Sequence, residues 1–180
     1  MTSLSFSNTP LAEAQLPTTE ALEFIALSPR YRWLNIGANF TIFTVLFLVS
    51  FALYAQTFFQ FPEEFSAIIA FSKWIVLTLG VVVTLYHFFA DPIKRYALRE
   101  QDISFTSGLF FRKTVTQPVL RIQHIELQRG PLERKFGLAT LQIFSAGGVM
   151  HTFEIPGLAL EKAQQLRQFI LQHKDVAQHG

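Results

Sequence analysis

Hydrophobic positions follow three patterns along this chain. From Asn35 to Phe61 and from Ser66 to Ala90 they run almost unbroken, with no charged residue in the first stretch and only Lys73 in the second. A helix needs about 20 mostly apolar residues to cross a hydrocarbon core, so each stretch predicts a membrane span, over 35–56 and 68–90. Pro62 lies between them and breaks the helix. The pair reads as a tight helical hairpin in an integral membrane protein.

After Asp91-Pro92 the period changes to two. Ile103 and Phe105 alternate with Ser104 and Thr106 before a turn at Ser107-Gly108, and Val115 lies between Thr114 and Thr116. Leu120 and Ile122 flank Arg121, Leu141 and Ile143 flank Gln142, and Phe153 and Ile155 flank Glu154. Such alternation predicts half-buried strands of an antiparallel sheet, two of them joined at Ala146-Gly147-Gly148. Between the Ile122 and Leu141 strands, Gly130-Pro131 and Gly137 bracket one helical turn, expected to tuck Leu132 and Phe136 into the core. The third pattern has helical spacing: from Leu158 to His173 it puts Ala159, Ala163, Leu166, Phe169 and Ile170 on one face. The chain therefore divides into an N-terminal segment (1–33), a two-span hairpin (34–90) and a small water-soluble domain (91–180) closed by a helix.

Charge gives this arrangement a direction. Residues before Asp91 include three basic and five acidic side chains; from Asp91 onward there are twelve and eight. Arg30 and Arg32 precede the first span and Lys94, Arg95 and Arg99 follow the second, whereas the connection carries only Glu63 and Glu64. Basic residues at span ends stay on the cytoplasmic side, so both termini are expected there. Tyr31 and Trp33 fit the inner interface, and Tyr54, Phe58 and Phe59 the outer one. Lys73 stands near the outer start of its span, where its stem can snorkel to the surface, and His87 stands near the inner end. Gly37, Ala38, Ser50, Ala52, Ala70, Ser72 and Gly80 provide small surfaces for close helix approach, either between the two spans or at an oligomer interface.

The residues ahead of the hairpin are less informative. Met1 to Pro10 lacks a basic start and an apolar stretch, so the first span is expected to act as its own insertion signal. Pro10, Pro17 and Pro29 fragment the segment Leu11 to Ser28, in which Thr18 or Thr19 could cap a short helix through Leu22 and Ile25, lying on the inner membrane surface or padding the domain.

Chemistry is mostly excluded. With no cysteine, disulfides, thiolate catalysis and cysteine-based zinc sites are ruled out. The soluble half has no phosphate-binding glycine loop, nucleophile elbow, paired-histidine metalloprotease motif or carboxylate dyad, so no catalytic residue and no cofactor is expected. His124 and Glu126 share a strand face that His151 could join, but without the ligand spacing of known zinc sites no metal is expected. Arg112, Lys113, Arg121, Arg129, Arg134 and Lys135 are the candidate contacts for an anionic lipid or a protein partner, because guanidinium and ammonium groups recognise phosphate. Their other reading is solvated surface charge. The modest charge and the lack of a recognition motif argue against nucleic acid.

Several short strings taken together resemble a known family. They are Arg121-Ile122-Gln123, Gly130-Pro131-Leu132 with Arg134, Phe136-Gly137-Leu138, Leu141, Ser145-Ala146-Gly147, Ile155-Pro156-Gly157-Leu158 and the closing Ala163/Leu166/Ile170 helix. They are similar to the bacterial PH-like domain of YdbS-like membrane proteins, which also place two spans ahead of it. The resemblance implies a transmembrane helical hairpin plus a small α+β, mainly-β PH-like domain: a strongly bent antiparallel sheet with a C-terminal helix plugging one open end. It further implies a bacterial plasma (inner) membrane location and a protein partner, either another membrane protein such as a sister with tandem domains of the same kind, or a second copy. The expected function is a non-catalytic, membrane-anchored interaction module at the cytoplasmic face. The alternatives are an accessory subunit of an envelope defence or transport complex acting through its spans, and an anionic-lipid-binding domain. An enzyme would need an acid, base or nucleophile that the sequence does not announce.

Overall fold

The computed structural model describes residues 23–145 and 153–179. Helices α1 (Pro29–Ala55) and α2 (Glu63–Ala90) have 27 and 28 residues, each about 40 Å long at the usual rise, and both qualify as membrane spans by length and composition. Pro29 occupies the first turn of α1, where its missing N–H is not needed. Polar side chains inside the spans bond back to their own helix: Asn39 Nδ2 donates to the Asn35 carbonyl, Thr41 Oγ1 to the Gly37 carbonyl and Ser72 Oγ to the Ile69 carbonyl. In hydrocarbon an unmade hydrogen bond is costly, and these bonds remove that cost.

The helices pack where small residues permit it. Gly80 is buried, and a Cβ there would come within 2.8 Å of the Phe43 Cβ. The Ser50 and Ser72 hydroxyls hydrogen-bond across the same interface. Not every small residue serves it: Ala52 is exposed, and Gly37 and Ala38 line a groove on the other side of α1. Lys73 places its ammonium 3.6 Å above the Tyr54 ring, near the connection end of the hairpin. That connection is tied by the Gln56 amide, which donates to the Phe59 carbonyl and accepts from the Phe59 N–H.

Two antiparallel sheets form the domain. One has the order β1-β2-β3-β4, with β1 (Ile25–Ala26), β2 (Arg95–Leu98), β3 (Asp102–Ser107) and β4 (Lys113–Pro118). The other is β5-β6-β7, with β5 (Ile122–Gln128), β6 (Leu138–Ser145) and β7 (Phe153–Ala159). A short helix α3 (Pro131–Phe136) links β5 to β6, and α4 (Leu160–His179) follows β7. The core lies between the inner sheet faces and is sealed by α4 through Ala163, Leu166 and Ile170; Ile103, Leu141, Ile143 and Ile155 have no exposed surface. Phe105 of β3 and Phe153 of β7 stack nearly parallel, ring centres 6.4 Å apart, across the two sheets. Period-two alternation thus placed its apolar residues on the buried face, as sheet geometry requires.

Four expectations need correction. Ile25 does not continue a helix: it is a strand residue paired with Tyr96, so chain ahead of the hairpin extends the domain's first sheet. Leu120 lies in a 3-10 turn between β4 and β5 and points to solvent. Ala159 ends β7, exposed, and the helix starts one residue later. Leu132 and Phe136 of α3 stay outside the core, 51% and 42% exposed, because the core is already filled by strand residues and α4. The turn at Ala146-Gly147-Gly148 and the segment Leu11 to Leu22 lie outside the described residues.

Candidate functional site at the junction of hairpin and domain

Where α2 ends, the chain turns into the domain through Asp91-Pro92-Ile93, a 3-10 turn. The Asp91 side chain is 1% exposed, and a buried carboxylate is tolerated only when donors surround it. Three do. Asn35 Nδ2, nearly two turns into α1, donates to Oδ2 at 2.8 Å, His87 Nδ1 contacts the same oxygen at 3.2 Å, and Lys94 Nζ donates to Oδ1 at 2.9 Å. The i,i+4 spacing of His87 and the i,i+3 spacing of Lys94 follow from helical geometry. Asn35 comes from the other span.

Lys94 also reaches the Tyr31 hydroxyl at 3.4 Å and lies near its ring. Burial pulls the Lys94 pKa down, but the hydrogen bond to Asp91 and the fields of Tyr31 and Asp91 outweigh it, leaving the pKa above the ordinary 10.5. Burial alone raises the pKa of the Tyr96 phenol on the adjoining strand β2.

A second lock joins the start of α1 to the last strand. Gly157 of β7 has φ +64, and a Cβ there would fall on the Tyr31 ring. Glycine is needed both for the left-handed conformation and for the close approach. The Ser28 N–H donates to the Gly157 carbonyl at 3.1 Å. The Arg32 guanidinium lies 3.8 Å over the Phe88 ring of α2; its buried Nε has no hydrogen-bond partner among the described residues.

Beside this junction, α3 faces α1. Glu133 accepts from the Gly130 N–H and from Thr140 Oγ1, fixing α3 against β6. Leu132 and Phe136 then form one wall of an apolar groove of about 420 Å³ whose other wall is Trp33, Leu34, Gly37, Ala38, Thr41 and Ile42 of α1. Their neighbour is a span, not the core.

The six basic candidates fall in separate places. Arg112 and Lys113 border the turn between β3 and β4; Arg134 and Lys135 lie on α3 beside the groove. Arg121 sits in the 3-10 turn at the opposite end of β4. Arg129 donates from Nε to the Leu138 carbonyl. His124 and Glu126 make an exposed 3.1 Å pair on β5; His151 lies outside the described residues. Sequence reasoning missed Asp91 and Asn35 as partners, and the only signal available was a polar residue at the inner end of each apolar run.

Two antiparallel sheets with a closing C-terminal helix, docked on a pair of spans, define a membrane-anchored PH-like protein. The chain belongs to the bacterial PH domain family, whose description matches residues 33–174 and so takes in both spans. It is similar to UPF0699 transmembrane protein YdbS of Bacillus subtilis (strain 168), 33% identical over 115 residues, covering 63% of this chain and 68% of that protein. No solved structure matches it.

Proposed function

We propose that the chain is a non-catalytic interaction module of the bacterial inner membrane, with both termini in the cytoplasm, holding its PH-like domain in one orientation so that a protein partner can bind. The observation that carries this reading is the buried Asp91, bonded to Asn35 of one span, to His87 of the other and to Lys94 at the entrance to the domain. A flexible tether would suffice to keep a soluble domain near a membrane. A fully satisfied buried polar network rigidifies the elements it joins, and here it joins both spans to the domain. The family is one of PH-domain membrane proteins and not an enzyme class, which is consistent with the lack of a catalytic constellation in the sequence.

The binding surface in this reading is the open edge of β4, which pairs with β3 on one side and is terminal in its sheet. Val119 N–H donates to the Gln101 carbonyl, so the ladder bonds fall on odd-numbered residues and the N–H groups of Thr114 and Thr116 turn outward. An extended segment of a partner can add there as a further strand. The test is affinity purification of the full chain from its native membrane in mild detergent, with Thr114→Pro as the variant. Proline removes an outward N–H and none of the backbone bonds of the β3–β4 ladder; Thr114→Val, which loses the same hydroxyl bond to Thr106 but keeps the N–H, is the control. A stoichiometric protein lost from the variant, at an unchanged melting temperature, supports the module. Recovery of the parent chain alone, or a partner indifferent to the variant, overturns it.

A further inference from the structure

The turn between β3 and β4 carries the most water-exposed aromatic pair of the domain, Phe110 at 82% and Phe111 at 92%. Contiguous exposed apolar surface of this kind marks protein or membrane contact sites. Arg112 and Lys113 follow directly, with no acidic residue from Ser107 to Lys113. Gly108 shapes the turn: its φ is +106, and a Cβ would collide with the Phe111 carbonyl oxygen. The aromatic pair is therefore held out by the backbone of a tight turn.

The position of this turn identifies what covers it. Strand β2 leaves the hairpin end at Arg95, and Arg95 pairs with Thr106, Ser107 with Lys113. The turn thus comes back to the end of the domain where α2 delivers the chain, and Arg112 shares a cavity of about 200 Å³ with Ile93, the last residue of the 3-10 turn that follows α2. On its other side the same end faces the span: Leu132 and Phe136 of α3 stand across a groove from Thr41 and Ile42, well inside the apolar run of α1.

We infer that the β3–β4 turn is a membrane-inserting element: Phe110 and Phe111 enter the interfacial zone of the leaflet adjoining the domain, and Arg112 and Lys113 meet its phosphates. Aromatic rings favour that zone, and each basic residue near an anionic surface adds attraction. The occupant is the bilayer in which the chain is already anchored, so the aromatic pair is covered without any protein partner. The inference rests on the two spans and is independent of partner binding.

The absence of cysteine makes the test direct. The full chain is placed singly in nanodiscs of phosphatidylethanolamine and phosphatidylglycerol, with a spin label at Phe110→Cys, Phe111→Cys or, as an aqueous reference at the far end of β4, Leu120→Cys. Labels on the turn are expected to be relaxed more by oxygen than by a water-soluble nickel chelate, and the Leu120 label the reverse. Adding Arg112→Gln and Lys113→Gln is expected to make the turn labels shallower. Turn labels as open to the chelate as the Leu120 label, or shielded from both reagents as by protein, overturn the insertion. Labels whose depth ignores the double charge change overturn the role of the two cations. All three labelled positions are exposed, so melting temperatures equal to the parent's will show the fold intact.

Discussion

Asn35 donates to the Asp91 carboxylate across 2.8 Å, although the two residues stand 56 positions apart. The bond joins the start of one span to the exit of the other at the level where the domain begins. Because the carboxylate is buried, it holds the hairpin and domain together as one polar unit, with Lys94 supplying the opposite charge.

Removing that charge leaves Lys94 without its counter-ion. Asp91→Asn is expected to lower the melting temperature of the detergent-solubilised chain strongly, by an amount corresponding to about 3 kcal/mol, since breaking a buried pair costs more than the pair contributes. Asn35→Ala removes one neutral donor and is expected to cost about 1 kcal/mol. A thermal scan of both variants beside the parent checks the order: an Asp91→Asn loss no larger than that of Asn35→Ala would remove Asp91 from the centre of the junction.

Gly157 and Tyr31 make a second, independent lock. Gly157→Ala forces a Cβ into the Tyr31 ring and into a left-handed backbone, with an expected loss of about 2 kcal/mol or more. Pairing it with Tyr31→Ala is expected to recover part of the loss, because the clash goes and the strain stays. Melting temperatures of the two single variants and the double variant measure that coupling; strictly additive losses would mean the ring and the glycine do not meet.

Alkaline lability follows from two raised pKa values. Lys94 and Tyr96 both hold their protons more tightly folded than unfolded. Their contribution is complete below the unfolded-state values, near 10, and is lost as the pH rises through the higher folded-state values. Stability of the purified chain is therefore expected to be flat with respect to these groups near neutrality and to fall above about pH 10. Lys94→Met should flatten part of that fall, as read from melting temperature against pH.

Within the membrane, Gly80→Leu is expected to separate α1 from α2, since even a Cβ meets Phe43 at 2.8 Å. Cysteines at Ser50 and Ser72, whose hydroxyls touch, provide the readout: cross-linking of this pair should be efficient in the parent background and weakened by Gly80→Leu. Equal cross-linking in both would show that the spans pack on another face.

The two spans, strands β3 to β7 and the closing helix were legible in the sequence because each depends on a local period: an unbroken apolar run, an alternation of two, a spacing near 3.6 residues; the short strands β1 and β2 were not. The same locality explains the misplacements. Leu132 and Phe136 have the right character for a core, and nothing nearby in sequence says that their neighbour is Trp33 on a span a hundred residues earlier. Ile25 pairs with Tyr96 only because the hairpin returns the chain to its starting side. The basic candidates Arg112-Lys113 and Arg134-Lys135 were visible as charges, and their separation to different parts of the hairpin end was not. Membrane insertion and element type were thus determined by the sequence itself, through the cost of exposing apolar side chains and unpaired backbone. The lock around Asp91, the approach of Tyr31 to Gly157 and the placement of Phe110-Phe111 beside the end of α2 were decided only by the tertiary structure, because each needs residues from distant segments to meet in three dimensions.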